Sequence, residues 1–263
     1  LGRSGLQVSA LSLGGWVTWG NQIGEDITYD CMTAAYEAGV NFFDTANVYA
    51  RGVSEEILGR ALKDFANRDE VVIATKVRGK MHDGPNGEGL SRKAILSQID
   101  KSLKRLGVDY VDLYIIHRWD YNTPIEETMA ALHDVVRAGK TRYIGASAMY
   151  AWQFQKALDV AESNGWTRFV SMQNHLNLIY REEEREMMPL CREEKIAVLP
   201  WSPLASGKLA RGVEATKRSE TDSVAKWKYD KSAEADQLVI ERLTKTAEKY
   251  GVSRTQIALA WLL

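Results

Sequence analysis

Apolar and polar positions along the chain alternate between two patterns. Short runs rich in β-branched and aromatic residues are typical of buried strands, and the longer stretches between them have helical periodicity. The predicted strands are Ala10–Leu13, Asn41–Phe43, Val71–Thr75, Val111–Ile116, Tyr143–Ala146, Val170–Gln173 and Ala197–Pro200. The predicted helices are Thr28–Ala38, Ser54–Phe65, Ser91–Leu106, Pro124–Ala138, Ala151–Asn164, Glu182–Glu194, Gln237–Tyr250 and Arg254–Leu263. The pattern predicts an α/β protein.

Capping residues support several of these helices. Ser54 and Ser91 each stand at the start of a helical stretch, where a serine side chain can accept a hydrogen bond from a free backbone amide. Gly107 follows the helix that begins near Ser91 and is predicted to end it, because glycine readily adopts the left-handed conformation of a helix terminus.

The order of elements favours a barrel. Seven strand–helix units in series would also suit a doubly wound sheet, but no linker or composition shift divides the 263 residues. Barrels of eight such units have about 250 residues. We predict a single (β/α)₈ TIM-barrel domain over residues 1–263. Since an open parallel sheet leaves an unpaired edge, we also expect the eighth strand and the C-terminal tail to be missing from this chain.

Composition narrows the class of function. Hydrophobic residues make up 45% and charged residues 26%, and the net charge is −1. Such a balance predicts a globular core and gives no case for binding nucleic acid or a membrane. Cys31 and Cys191 fall in separate predicted helices, without disulfide or zinc spacing. We therefore expect a cytoplasmic protein and no metal site.

Polar side chains stand at the ends of three consecutive predicted strands. Asp44 ends the second strand, with Tyr49 in the loop after it; Lys76 ends the third strand and His117 the fourth. Active sites of such barrels lie at the C-terminal ends of the strands. Neighbouring strands are about 4.8 Å apart, so these strand ends are predicted to lie within about 10 Å of each other.

These four residues suit the protonation of a carbonyl oxygen. Asp44 can keep Lys76 charged, the ammonium can lower the pKa of the Tyr49 phenol, and His117 can orient the carbonyl by a hydrogen bond. Each residue also has an ordinary interpretation: a structural salt bridge, a wall tyrosine, a core histidine. Their combination at successive strand ends favours the catalytic interpretation.

Six segments in this order resemble the aldo-keto reductases. They are "GVNFFDTANVYARGVSEEILGRAL", "VVIATK", "DYVDLYIIH", "IGAS", "SMQN" and "LPWSPLASGKL". The stretch "WDYNTPIEETMAALHDVVRAGKTRYIGAS" is most similar to a bacterial branch that also resembles the β subunits of voltage-gated potassium channels.

The resemblance implies a reductase that takes hydride from NADPH, with NADH possible. It makes Tyr49 the general acid, Lys76 and Asp44 the pair that tunes it, and His117 the group that orients the carbonyl. It implies that Ser147 and Gln173 bind the carboxamide of the nicotinamide and that Trp201 stacks on the nicotinamide ring. Other expected cofactor contacts come from Trp16, Gln22, Asp44, Ser202, Leu204 and Ser206.

Three features depart from the family pattern or lie outside it. Ala148 stands where many members have asparagine, and its side chain has no amide to contact the carboxamide of the nicotinamide. The polar segment 212–236 is predicted to be a mobile loop over the cofactor. Its basic residues have the alternative interpretation of a solvated surface: Lys217, Arg218, Lys226 and Lys228. The pocket that binds the 2′-phosphate in the family would lie beyond Leu263. The preference for NADPH over NADH is therefore inferred only from the resemblance to the family.

Two other functions stay open at this stage. A regulatory subunit of a membrane channel would have the same barrel framework. His117 disfavours this function, because those subunits carry an amide side chain at its position. A lyase or isomerase would need Lys76 as a Schiff base, with a pKa near neutrality.

The substrate is expected to be a small carbonyl compound. Its pocket is predicted to be lined by aromatic residues that suit aryl aldehydes or sugar faces, although these could equally pack against one another: Trp16, Trp19, Tyr49, Trp119 and Tyr121. The sequence does not predict the oligomeric state.

Overall fold

A computed structural model describes residues 1–20, 22–210, 229 and 233–263. Its sheet has seven strands in the order β1 to β7. They are β1 Leu13–Gly14, β2 Phe42–Asp44, β3 Val72–Val77, β4 Val111–Ile116, β5 Thr141–Ser147, β6 Ser171–Gln173 and β7 Ala197–Val198. The α-helices are α1 Glu25–Glu37, α2 Val53–Phe65, α3 Arg92–Leu106, α4 Ile125–Arg137, α5 Ala151–Ser163, α6 Met187–Glu193, α7 Ala233–Tyr250 and α8 Arg254–Ala260.

The strand order confirms the predicted α/β fold of the TIM-barrel type. Neighbouring strands from β1 to β5 pair in parallel and follow each other along the chain. No eighth strand occurs among the described residues, as expected. Every residue of β3 and β4 is buried, as is usual for strands covered on both faces.

The chain divides into two compact units. The first comprises Leu1–Met172 and Leu190–Ala197, and the second comprises Gln173–Pro189 and Val198–Leu263. In the first unit, α2 buries Ile57, Leu58 and Ala61 with helical spacing. The second unit has its own apolar cluster, formed by Ala205, Leu209, Tyr229, Leu243 and Ala258. The prediction of a single domain is not decided by this division.

Several predicted boundaries are confirmed and others shift. Ser91 caps α3 by accepting a hydrogen bond from the amide of Ala94, and Gly107 ends that helix with a φ of 66°. The prediction of Ser54 as an N-cap is wrong: α2 begins at Val53 after Gly52, and Ser54 is buried with its hydroxyl 2.8 Å from that of Thr45.

The predicted helix Glu182–Glu194 is also interrupted. A 3₁₀ helix covers Glu182–Glu184, and α6 starts only at Met187. Around the first segment Arg181 pairs with Glu184 and Arg185 pairs with Glu182, in each case three residues apart. The first strand is shorter than predicted and starts at Leu13. Among the described residues, no helix is long and apolar enough to cross a membrane.

Candidate active site

Asp44 and Lys76 form a buried ion pair at the ends of β2 and β3. In the sheet register Asp44 lies opposite Ala74, two residues before Lys76 on the neighbouring strand. The ammonium of Lys76 pairs with Oδ1 of Asp44 and also donates a hydrogen bond to the carbonyl oxygen of Thr45 at 2.9 Å. The Lys76 side chain has no exposed surface. Two acceptors in a dry site hold this cation in one position.

Tyr49 lies next to the Lys76 ammonium of this pair. It begins a 3₁₀ turn, Tyr49–Gly52, and it is buried. The Lys76 nitrogen lies 4.9 Å from the centre of the Tyr49 ring, where its positive charge acts to lower the pKa of the phenol. The structure therefore brings together the carboxylate, the ammonium and the phenol in the order predicted from the sequence.

The pKa values show which effects dominate at this trio. Burial raises the pKa of the Tyr49 phenol, the Lys76 ammonium opposes that rise, and the net pKa lies above its usual value. The net lowering expected from the sequence is thus not found, although the influence of Lys76 has the expected sign. For Lys76, burial lowers the pKa, but Asp44 and Tyr49 outweigh it and the net pKa is raised.

A charged Lys76 bears on the Schiff-base alternative. A lysine that forms a Schiff base needs a neutral amine, which a lowered pKa provides. The raised pKa of Lys76 and its two oxygen partners instead keep the amine protonated. Lys76 is therefore suited to stabilise a negative charge next to it.

His117 stands beside Tyr49, one residue after β4. Its ring meets that of Tyr49 edge-on, with centroids 5.6 Å apart, and its backbone amide donates to the carbonyl of Val77 at 2.9 Å. Burial, followed by the cations Lys76, Arg118 and Arg78, lowers the pKa of His117 to about 3. The imidazole is therefore neutral near pH 7, with one N–H to donate.

Two of the predicted aromatic residues lie where a substrate could meet them. Trp16 is 40% exposed, and its ring stacks against Tyr49 with centroids 6.5 Å apart. Trp119 is partly exposed two residues after His117.

Trp19, in contrast, is buried. It is only 3% exposed and packs closely on Gly15, where a Cβ would come 2.2 Å from the Trp19 ring. The prediction that Trp19 lines the pocket is not supported, because it offers a ligand almost no surface.

Two predicted cofactor contacts of the first unit lie at element ends. Ser147 ends β5 and is buried. Ala148, after it, has a φ of 47°, in the left-handed region that non-glycine residues rarely adopt. Gln22 lies in the turn before α1, where its amide donates to the carbonyl of Thr18 at 3.1 Å.

The remaining predicted contacts belong to the second unit. Gln173 ends β6, and Trp201 and Ser202 follow β7 by three and four residues. Ser202, Ala205, Ser206 and Gly207 all have positive φ values. Leu204 lies between them and packs on the apolar cluster of this unit. A backbone that winds in this way can present amide groups on a concave surface that suits phosphate oxygens.

His175 is a feature of the second unit that sequence reasoning missed. Its ring lies between those of Tyr180 and Trp201, at centroid distances of 4.1 and 4.3 Å. Its Nε2 is 2.7 Å from the hydroxyl of Tyr229. The stack fixes the plane of the Trp201 indole. The motif "SMQNHL" contains this histidine two residues after Gln173, but no spacing in the sequence indicates what it packs against.

The predicted loop 212–236 is described only in part. Lys217, Arg218, Lys226 and Lys228 of the segment 212–236 lie outside the described residues. Of that segment, Tyr229 and the start of α7 are described. The carbonyl oxygen of Tyr229 accepts a hydrogen bond from the Lys208 ammonium at 3.0 Å.

Comparison with known proteins identifies a family. Residues 10–263 match the family described as the aldo/keto reductase family. Versiconal hemiacetal acetate reductase of Aspergillus parasiticus is 42% identical, with 100% of this chain and 84% of the relative aligned. A putative aryl-alcohol dehydrogenase of Schizosaccharomyces pombe is also 42% identical, over 100% of this chain and 83% of its own length. An aldo-keto reductase of Alternaria alternata shows 42% identity as well, with coverages of 100% and 79%.

Proposed function

We propose that this chain, which belongs to the aldo/keto reductase family, reduces an aldehyde or ketone to an alcohol with NADPH and with Tyr49 as the proton donor. As a member of that family it is an oxidoreductase that acts on carbonyl compounds. The observation that carries the finer proposal is the buried Lys76 ammonium, which is paired with Asp44 and lies 4.9 Å from the centre of the Tyr49 ring.

The proton transfer follows from the charges around Tyr49. Its raised pKa keeps the phenol protonated near pH 7, so the group starts as a donor. When negative charge develops on the carbonyl oxygen, the phenol proton moves to that oxygen and a phenolate remains. The adjacent Lys76 ammonium stabilises this phenolate in a site with little water.

His117 is proposed to hold the carbonyl in place. A neutral imidazole can donate one N–H to the carbonyl oxygen without competing with Tyr49 for the transferred proton. Trp16 stacks against Tyr49 and would line the approach to it together with Trp119.

The bound nicotinamide would supply the hydride to the carbonyl carbon. The family generally uses NAD(P)H, and the described residues fit such a group: Ser147 is a buried hydroxyl at a strand end, and the turn 202–207 offers a concave backbone. We propose Ser147, Gln173, Trp201, Ser202, Leu204 and Ser206 as contacts, with Trp16, Gln22 and Asp44. NADPH is the proposed cofactor and NADH the alternative.

The cellular setting stays a prediction. A cytoplasmic location and a relation to the bacterial branch near the channel β subunits rest on the sequence, while the relatives named above are fungal. The substrates in the names of those relatives, a hemiacetal acetate and an aryl alcohol, support a carbonyl substrate for this chain.

Replacement of Tyr49 by phenylalanine tests the proposal. Tyr49→Phe keeps the ring and removes the proton, so kcat/KM for a simple aldehyde should fall by about 10²–10⁴ while NADPH still binds. NADPH oxidation and cofactor binding, both followed by fluorescence, measure the two effects. Tyr250→Phe, an exposed tyrosine of α7, serves as the matched control. Equal turnover by Tyr49→Phe and wild type would rule out Tyr49 as the acid.

A further inference from the structure

Three aromatic side chains of the second unit form a continuous stack. The His175 ring lies between those of Tyr180 and Trp201, at interplanar angles of 21° and 14°. We name Tyr180, His175 and Trp201 the ring stack. His175 is only 8% exposed, whereas Trp201 keeps part of its surface in contact with solvent. Because His175 covers one face of the indole, another flat ring can stack only on the opposite face.

Asn177 orients the histidine edge of the ring stack. Its Oδ1 accepts from the backbone amides of Ile179 and Tyr180 at 3.0 and 2.9 Å, so its Nδ2 faces the other way. That Nδ2 lies 3.2 Å from the Tyr229 hydroxyl, which in turn lies 2.7 Å from Nε2 of His175. The hydrogen bonds therefore run from the Asn177 amide to the Tyr229 hydroxyl and from that hydroxyl to Nε2. This chain of hydrogen bonds fixes one edge of the His175 ring.

The backbone that carries the Trp201 indole is held by the same segment. Nδ2 of Asn177 also donates to the carbonyl oxygen of Ser202 at 2.9 Å. The amide of Trp201 donates to the carbonyl oxygen of Asn174 at 2.7 Å, and Trp201 pairs with His175 in an isolated parallel bridge. Both the indole and its backbone are thus bound to the residues that follow β6, which leaves the side chain little freedom to change its plane.

We propose that His175 is a positioning residue for hydride transfer, which holds the Trp201 indole in the plane on which the nicotinamide stacks. A contact surface that is ordered in advance lowers the entropy cost of placing the bound ring. A displacement of about 1 Å at the reacting groups can cost about 10²-fold in rate. The proposal rests on the proposed function, in which Trp201 contacts the nicotinamide, and His175 acts through that indole.

The orientation of the indole can be tested without cofactor. In protein labelled with 5-fluorotryptophan, the ¹⁹F line of Trp201 is the one that Trp201→Phe removes. His175→Ala uncovers one face of the indole, so this line should shift and broaden, whereas His175→Phe keeps a flat ring in the stack and should keep the line narrow. His133→Ala is the matched control, because it removes a histidine of the first unit that bonds Thr167. An unchanged line in His175→Ala would overturn the proposal.

Single-turnover kinetics separates positioning from a loss of folded protein. With NADPH bound, the rate constant for reduction of a simple aldehyde reports the hydride step, and the amplitude reports the fraction of active protein. His175→Ala should lower the rate constant by about tenfold, and His175→Phe should stay within about threefold of the wild type. A smaller amplitude with an unchanged rate constant, or equal losses of rate in both variants, would contradict the role of His175.

NADPH binding separates this proposal from the reductase assignment. Addition of NADPH should move the ¹⁹F line of Trp201 in the wild type, and the shift should be smaller in His175→Ala. A wild-type protein that reduces no aldehyde but shows this difference would refute the proposed function and support the role of His175. A protein that reduces aldehydes with NADPH but shows the same shift in both forms would refute that role alone.

Discussion

At the scale of single residues, burial decides the chemistry of the candidate site. The sequence predicts Asp44, Tyr49, Lys76 and His117 correctly as neighbours, because each follows or ends a consecutive strand. It does not predict the protonation states. Burial raises the pKa of Tyr49 more than Lys76 lowers it, and burial together with nearby cations keeps His117 neutral. These effects depend on distances and exposure that no motif records.

The lowered pKa of His117 makes the stability of the protein depend on pH. The folded imidazole takes up a proton only near pH 3, whereas the unfolded one does so near 6.5. The unfolded state therefore binds more protons between these values, and the free energy of unfolding falls as the pH falls through that window. From pH 7 to pH 5 this group should cost about 2 kcal/mol.

His117→Asn removes the titrating group and should flatten that dependence. Urea unfolding at pH 5, 6 and 7 gives the free energy for wild type and variant. A wild-type curve that parallels the variant over this range would contradict the prediction.

At the scale of elements, the turn between β2 and α2 is the most constrained part of the site. Ala50, Arg51 and Gly52 have φ values of 46°, 51° and 100°, directly after Tyr49. Helix α2 then supplies Glu55, which is fully buried, accepts from the Thr75 hydroxyl at 2.5 Å and pairs with Arg105 at 2.5 Å. Thr75 precedes Lys76 in β3, so one carboxylate links α2, α3 and the strand that carries the lysine.

Removal of the charge on Glu55 should therefore destabilise the protein strongly. Glu55→Gln leaves Arg105 without its charged partner, and loss of one member of a buried ion pair costs about 3–5 kcal/mol. Chemical denaturation measures the loss.

Glu25→Gln is the matched control, since Glu25 pairs with Arg60 on the surface and should change stability by less than about 1 kcal/mol. A similar small loss in both variants would show that the Glu55 pair contributes little.

The sequence predicts the ends of these elements well, but it does not predict the buried polar contacts between them. The sequence predicts Ser91 and Gly107 as helix ends because caps have local signatures. Ser54 resembles a cap in the sequence, but its hydroxyl is instead hydrogen-bonded to that of Thr45. Glu55 in "SEEIL" has the position of an ordinary acidic residue in the first turn of a helix. Its role depends on Arg105, which lies fifty residues further along the chain.

At the scale of the whole molecule, the serial order of the strands places the proposed chemistry. Because β1 to β5 pair in parallel and in chain order, residues that follow these consecutive strands of the first unit lie at one end of the sheet.

Cofactor binding should be visible as a change in the stability of the whole chain. A ligand at a hundred times its Kd stabilises the folded state by about 2.7 kcal/mol. For a chain of this size, NADPH should raise Tm by about 5–10 °C. Differential scanning calorimetry with NADPH and with NADH at equal concentration measures the shift and the preference.

Trp201→Ala should reduce that shift, because the indole is proposed to contact the nicotinamide. No rise in Tm with either dinucleotide would contradict the proposed cofactor, and a larger rise with NADH would reverse the proposed preference.

From local patterns the sequence predicts the fold class, the order of the elements and the identities of the four polar residues at the strand ends. It could do so because hydrophobic periodicity and helix caps are local, and because strand ends of a parallel sheet meet at one edge. Tertiary structure alone decided the protonation of Tyr49 and His117, the Glu55–Arg105 pair, the burial of Trp19 and the stack on His175. These depend on burial and on contacts between residues far apart in the chain, which are set only when the chain has folded.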